Sequence, residues 1–177
     1  MKNGRRLYGK GIALGLVIFL CGGCGYTYKS TVLHNIKTIA VPTFKNALSE
    51  RNADTYSAGL DVDVTNAVID RFNYDGSLKV VSPDKADVIL EGTLTAFNQD
   101  TIRYGGHGDV KEYRLFIGVD LSLVDARTGT VMWTEKNFRG RTEYIRSSSG
   151  SISERAAVKA AREDLAKKIV DRVVEDW

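Results

Sequence analysis

Few of the side chains that usually carry out catalysis occur in this sequence, and their spacing is unsuited to it. The two histidines, His34 and His107, lie in predicted loops beside glycine or polar residues. Asp61 and Asp63 lie two residues apart on a predicted helix, so they point to different faces and cannot act as a paired acid and base. The glycine-rich segment 105–108 joins two predicted strands and opens no helix, so it lacks the geometry of a phosphate-binding loop. We therefore predict no enzymatic activity, no bound metal and no cofactor.

Basic residues recur along the long predicted strands and alternate there with aromatic residues. They are Arg103, Lys111 and Arg114 around the first hairpin and Lys136, Arg139, Arg141 and Arg146 on the last strand, interleaved with Tyr104, Tyr113, Phe138 and Tyr144. Cations pair with phosphate, and aromatic rings cover acyl chains or sugar faces. This set is a candidate binding site for a phosphorylated amphiphile or a protein partner. The alternative is that the cations only form solvated strand faces and protect a sheet edge.

Cys24 follows a segment with the three-part layout of a secretory signal peptide. Cations at positions 2, 5, 6 and 10 precede the apolar segment 11–20, which is too short to cross a bilayer as a helix. Gly22 and Gly23 before Cys24 resemble the cleavage motif of bacterial lipoproteins, whose cysteine becomes the acylated first residue. Cys21 stands where that motif usually has an aliphatic residue. We predict a lipoprotein signal peptide over 1–23 and a lipid anchor on Cys24, with ordinary secretion and an uncleaved anchor as alternatives.

Removing the leader changes the charge and the cysteine content. The chain has 25 Lys and Arg against 22 Asp and Glu, and the leader holds four of the cations and none of the anions, so the mature chain carries 21 against 22. The globally basic surface of a nucleic-acid-binding protein is therefore not predicted. Cys24 becomes the single cysteine, so the domain has to fold without disulfides. A Cys21–Cys24 redox or metal pair is disfavoured because Cys21 lies in the leader.

The hydrophobic pattern predicts two helices. The first covers 55–72, with Asp54 as its N-cap, and ends in the turn 73–76. The second begins with a capping box at 151–154. Its apolar stripe consists of Val158, Ala161, Leu165, Ile169 and Val173.

Strands are predicted at 36–44, which ends around Pro42, at 78–81, at 87–103, at 114–123 and at 130–144. In the third of these, Val88, Leu90, Leu94 and Ala96 would face one side. The fourth has the clearest alternation. One face is apolar and consists of Leu115, Ile117, Val119, Leu121 and Leu123, and the other consists of Arg114, Phe116, Gly118, Asp120 and Ser122. Gly140 is predicted to form a bulge or bend in the last strand.

This order of elements predicts an α+β fold. A strand and a crossover helix are followed by a meander of long antiparallel strands and a closing helix, which favours a two-layer sandwich. We expect a mixed, mostly antiparallel four-stranded sheet with both helices on one face. The mature chain would consist of a lipidated tether at 24–35 and one domain at 36–177.

Five segments of the sequence together resemble the LPS-assembly lipoprotein family (LptE-like). They are Cys24-Gly25-Tyr26, the strand Ile-Lys-Thr-Ile-Ala-Val-Pro at 36–42, the helix segment 65–69, Leu-Lys-Val-Val at 78–81, and Ala-Asp-Val-Ile-Leu-Glu-Gly at 86–92. The resemblance runs from Cys24 to about Leu94 and continues as a matching order of elements. It implies an outer-membrane lipoprotein with two helices on a four-stranded sheet.

By this resemblance the protein would sit as a plug in the β-barrel of the LPS translocon, support barrel assembly, bind LPS, and catalyse nothing. Only Cys24 is carried over from the family as a site residue. Gly25 is not the Asp that retains lipoproteins in the inner membrane of enterobacteria, which favours a lipid-anchored, periplasm-facing protein of the outer membrane. The alternatives are a periplasm-facing lipoprotein adaptor of another envelope transporter and a lipid-anchored hydrolase.

Overall fold

The computed structural model describes residues 36–48, 59–104, 110–145 and 154–175. Several predictions fall outside these residues: the leader 1–23, the tether 24–35 with Cys24, both histidines, the helix N-cap at Asp54 and the first three residues of the capping box. In the described part of the chain, no helix is both long and apolar enough to span a membrane.

The sheet has six strands, where four were predicted. They are β1 (Thr38–Ala40), β2 (Lys45–Asn46), β3 (Lys79–Val80), β4 (Val88–Tyr104), β5 (Val110–Asp125) and β6 (Val131–Ile145). The order is β3-β1-β4-β5-β6, with β2 pairing to β4. The first three strands pair in parallel and the last three form the predicted antiparallel meander. The sheet is mixed, as expected.

The sequence pattern marks five strand segments, one more than the expected four-stranded sheet, and β2, which follows the predicted strand 36–44, is the sixth. Only Thr38–Ala40 of the predicted strand forms β1, and Pro42 after it lacks an N–H for the ladder. Both β1 and β2 pair with β4, through Ile39 with Val88 and through Lys45 with Thr93. The amide of Phe44, just before β2, donates to Thr65 Oγ1 at 2.9 Å, which ties this segment to the first helix.

Two helices complete the fold, α1 (Leu60–Asp75) and α2 (Glu154–Glu175). Gly59, with a positive φ, is the N-cap of α1, so the described helix begins five residues after the predicted start. It ends at Gly76, whose N–H donates to the Phe72 carbonyl. The helix thus stops within the predicted turn 73–76, three residues later than its predicted last residue at position 72.

One hydrophobic core joins both helices to one face of the sheet. The alternation predicted for β5 is confirmed, because its five apolar residues from Leu115 to Leu123 are at most 2% exposed. The predicted stripe of α2 is also confirmed, since its residues from Val158 to Val173 are buried. The opposite face of the three long strands carries no helix in the described residues.

Two features of the strands differ from the predicted pattern. A register shift lies between Leu94 and Ala96, so Phe97, and not Ala96, returns to the core. In β6 the bulge lies at 136–137, opposite Asp120, and Asn137 has a φ of 56°. The bulge predicted at Gly140 is wrong. Gly140 pairs regularly with Ile117 and is small because α2 packs directly on it.

Candidate functional site on the helix-free face of the sheet

Strand alternation and register place most of the predicted cations on one face, whereas Arg146 lies outside the described residues. Residues of β5 with the parity of Leu115 face the helices, so Arg114 and its even-numbered neighbours point to the other side. The register then sets Glu143, Arg141 and Arg139 of β6 beside Arg114, Phe116 and Gly118 of β5. We call the resulting set the cationic face: Arg103, Arg114, Phe116, Lys136, Arg139 and Arg141. Lys111 lies in β5, and its side chain is outside the described residues.

Phe116 forms the apolar centre of the cationic face. The guanidinium carbon of Arg139 lies 4.8 Å from the centre of the Phe116 ring. Arg141 is the direct cross-strand partner of Phe116. Arg139 Nε also donates to Asn137 Oδ1 at 2.8 Å, which fixes its orientation. Stacking on a ring and one amide hydrogen bond hold the guanidinium without neutralising its charge.

Arg139 and Arg141 differ from Arg103 and Arg114, the other arginines of the cationic face, in their partners. Arg114 Nη2 and Nε lie 2.8 Å and 3.0 Å from Glu143 Oε1, and Arg103 Nε lies 3.5 Å from Glu112 Oε2. Among the described residues, no carboxylate pairs with the side chain of Arg139 or Arg141. These two guanidinium groups are therefore the ones with charge available for an anionic ligand.

The bulge in β6 builds the other end of the site. Asp120 Oδ1 accepts from the backbone N–H of Asn137 at 2.9 Å, and Asp120 Oδ2 lies 3.5 Å from Lys136 Nζ. Beside it is a shallow pocket of about 260 Å³, lined on its polar side by Thr93, Ser122 and Thr134 as well as by Lys45, Lys136, Glu91 and Asp120. Hydroxyls and paired charges at this end can hydrogen-bond a polar ligand such as a sugar.

Three of the aromatic residues predicted to interleave with the cations pack in or against the core and not on this face. The rings of Tyr113 and Tyr144 stack with their centres 5.4 Å apart, and Tyr144 is only 4% exposed in the core. Phe138 also packs against the core. Tyr104 has its side chain outside the described residues. Tyr113 faces the core because it shares the parity of Leu115 in β5. The aromatic residue on the cationic face is instead Phe116, which the sequence pattern places beside Arg114 but to which it gave no function.

A second and larger depression of about 710 Å³ lies between α1 and α2. Its walls carry both signs of charge, and Arg162 pairs with Asp63 across it. The Asp61 and Asp63 carboxylates therefore lie on the helical layer, away from the cationic face. None of the predicted ligand-binding residues lines this depression.

Comparison with known proteins gives a family match and a fold match. The profile of the LptE family, described as Lipopolysaccharide-assembly, matches residues 36–173. A search of the curated proteins finds no match.

Solved structures with a related fold include a DUF330 protein from Xanthomonas campestris, at 14% identity and a TM-score of 0.51, covering 80% of this chain and 85% of that one. Rare lipoprotein B from Shewanella oneidensis aligns at 18% identity and a TM-score of 0.45, over 77% of this chain and 94% of that one. The PelC dodecamer protein of Paraburkholderia phytofirmans aligns at 17% identity and a TM-score of 0.47, over 76% and 86%. Because the family profile covers most of the residues from β1 to the end of α2, the chain belongs to the LptE family of lipopolysaccharide-assembly proteins.

Proposed function

We propose that this protein is an outer-membrane lipoprotein that partners the β-barrel LPS translocon as a plug, supports assembly of that barrel and binds LPS, without catalysis. The leader 1–23 would be removed, Cys24 acylated, and the tether 24–35 would join the anchor to the domain 36–177. Family membership supports the general role in lipopolysaccharide assembly. The observation that carries the LPS-binding part is the pair Arg139 and Arg141 beside Phe116.

The chemistry of this pair suits a phosphorylated glycolipid. Guanidinium groups bind phosphate oxygens through charge-assisted, often bidentate hydrogen bonds. The ring of Phe116, which Arg139 contacts and which lies across the strand pair from Arg141, gives an apolar surface for an acyl chain or a sugar face. Arg114, held by Glu143, and the Lys136–Asp120 pair extend the polar surface on either side. Arg103 and Lys111 belong to the proposed site as its outer members, near the hairpin end.

The plug role is supported by the two-layer architecture. The helices cover one face of the sheet, and the other face is polar, with charged or hydroxyl side chains at most positions of β5 and β6. The interior of an outer-membrane barrel is also polar, so this face can lie against it or against a ligand passing beside it. Acyl chains on Cys24 would keep the domain at the membrane, because each buried methylene adds about 0.8 kcal/mol and two or more chains hold stably.

LPS binding is tested with two variants, one that reverses two positive charges on the cationic face and one that reverses two on the helical layer. Arg139→Glu with Arg141→Glu should weaken binding to phosphorylated lipid A by about tenfold or more, since each charge-assisted hydrogen bond contributes roughly 1.5 kcal/mol or more. The matched control is Lys159→Glu with Lys167→Glu, which makes the same change of charge on α2. Equal binding by both variants would mean that the cationic face is only a solvated strand surface and does not bind LPS.

The plug role is tested by extraction in mild detergent. A tagged chain should co-purify with a large outer-membrane barrel protein. Free lipoprotein in cells where such a barrel is abundant contradicts the proposal. Complexes with an envelope transporter and none with a barrel would favour the adaptor role instead.

A further inference from the structure

β6 forms one edge of the sheet and is long. Among the described residues its 15 residues pair with β5 alone, so its outer side presents backbone N–H and C=O groups away from the sheet. An exposed edge of this length is a template for pairing with another strand, and natural proteins usually protect such edges. The contacts of α2 show how this edge is occupied.

Two side chains of α2 bind the outward backbone groups in the middle of β6. Asp164 Oδ2 accepts from the backbone N–H of Arg141 at 2.9 Å. Lys168 Nζ donates to the backbone carbonyl of Arg139 at 3.4 Å. The same lysine lies 2.7 Å from Asp164 Oδ2, so the two side chains hold each other in place. We call this pair the edge clamp.

The edge clamp depends on the close approach of the helix at Gly140. A Cβ atom on Gly140 would lie 2.4 Å from both the Ala161 carbonyl oxygen and Leu165 Cβ. Without that side chain, the turn of α2 between Ala161 and Leu165 rests directly on the strand. A short Asp side chain at position 164 can then reach a backbone N–H beside Gly140.

We propose that the edge clamp closes a strand-pairing surface on β6, and that the occupant it excludes is β6 of a second copy of this chain. Outward backbone groups recur at every second residue, so Glu143 shares this edge with Arg139 and Arg141. Two β6 strands related by a twofold axis near Thr142 would set Arg141 of each copy opposite Glu143 of the other. That register pairs opposite charges twice, which favours the second copy as the occupant.

Association through β6 can be measured without LPS and without the barrel, because the variants change the clamp on α2 and the backbone edge of β6. Its test uses the full chain purified in detergent, with light scattering corrected for the detergent. Asp164→Ala with Lys168→Ala should double the protein mass as concentration rises. The Arg141 amide should lose its protection from hydrogen exchange while the variant is monomeric, and regain it in the dimer, where the Glu143 carbonyl of the second copy accepts from it. Circular dichroism checks that the variant is folded.

The matched control is Lys167→Ala with Asp171→Ala. This pair has the same spacing on α2 and a 2.9 Å ion pair, and it removes the same charges. It should leave both the mass and the Arg141 amide unchanged. A folded clamp variant that stays monomeric over the whole concentration series overturns the proposal, as does equal association of the control. If the double variant unfolds, Asp164→Ala alone is measured in the same way.

A third variant identifies the pairing surface. Arg141→Pro, added to the clamp variant, removes an outward N–H that takes no part in the ladder with β5, which an edge strand tolerates. It should restore the monomer. A dimer that persists must form through another surface and contradicts the proposal.

Discussion

At the scale of single residues, Asp87 holds the start of the sheet together. Its carboxylate accepts hydrogen bonds from the backbone N–H groups of Lys37 and Thr38, both at 2.9 Å, and from Thr38 Oγ1 at 2.8 Å. The bond from the Lys37 amide, followed by the Thr38 hydroxyl, holds the pKa of Asp87 below its ordinary value of 3.8. One side chain thus fastens β1 to the beginning of β4.

Asp87→Asn should therefore destabilise the fold in a pH-dependent way. Charge-assisted bonds contribute about 1.5 to 3 kcal/mol when shielded, and screening at this exposed position lowers the expected loss to roughly 1 kcal/mol. Because the folded-state pKa is the lower one, the contribution is present above the unfolded pKa and disappears as pH falls through the folded pKa. Denaturant unfolding at about pH 7 and below about pH 3 measures it.

The control for Asp87 is Asp84→Asn, which removes a carboxylate from the exposed turn Pro83–Lys85 and none of these three hydrogen bonds. Its free energy of unfolding should differ little from that of the unmodified chain at either pH. A loss for Asp87→Asn that stays constant down to the lowest pH would mean that packing, and not the charge, is responsible.

Single residues also show what the sequence could predict of the candidate site. The sequence identified the cations Arg139 and Arg141 by type, because charge is visible without a structure. It did not identify Phe116 as their aromatic partner. That assignment needs the register between β5 and β6, although the alternation of β5 already placed Phe116 on the same face as Arg114.

At the scale of the elements, contact between α2 and β6 is fixed by Gly140. Gly140→Ala should destabilise the protein by roughly 1 to 3 kcal/mol, the usual effect of overpacking a close contact, because neither the helix backbone at Ala161 nor the strand can move freely. Thermal or denaturant unfolding measures the loss.

Gly118→Ala is the matched control for Gly140. Gly118 is also a strand glycine, but it lies on the helix-free face, where an added Cβ would meet Ala96 Cβ at 3.0 Å and no helix. Its loss of stability should be smaller. Losses of equal size would show that strand conformation, and not the approach of α2, makes glycine necessary at 140.

The elements that depend on local periodicity were predictable, and those that depend on neighbours were not. The stripe of α2 and the alternation of β5 follow from spacing within one segment. The shift near Thr95 and the bulge at Asn137 place an extra residue opposite a partner strand, which no single segment reveals. The short β2 was missed for the same reason, since it exists only through its pairing with β4.

At the scale of the whole molecule, the two layers of the domain differ in how their charges are paired. The leader holds the excess of cations, so the predicted mature chain carries 21 basic against 22 acidic residues. Within it, the helical layer pairs its charges locally, as in Lys159 with Glu163 and Lys167 with Asp171. The helix-free face keeps Arg139 and Arg141 outside such pairs. Net charge alone would therefore understate the positive charge that this face can offer to the proposed phosphorylated ligand.

The whole molecule is proposed to be attached to the membrane through a lipid on Cys24, and this attachment can be tested by mutation of the cysteines. Cys24→Ala should leave the predicted leader uncleaved before position 24 and the chain without an acyl-modified N-terminus, because we propose Cys24 as the residue that carries the lipid. Mass spectrometry of the N-terminal peptide checks both effects. Cys21→Ser is the matched control, since it changes the other cysteine, and it should leave processing and acylation at Cys24. An acylated peptide that begins at Cys21 would move the anchor and shorten the leader. If the control is acylated at Cys24 and Cys24→Ala is not acylated, Cys24 is the anchor. The acyl chains would then hold at the membrane a domain whose near-neutral net charge gives little attraction of its own.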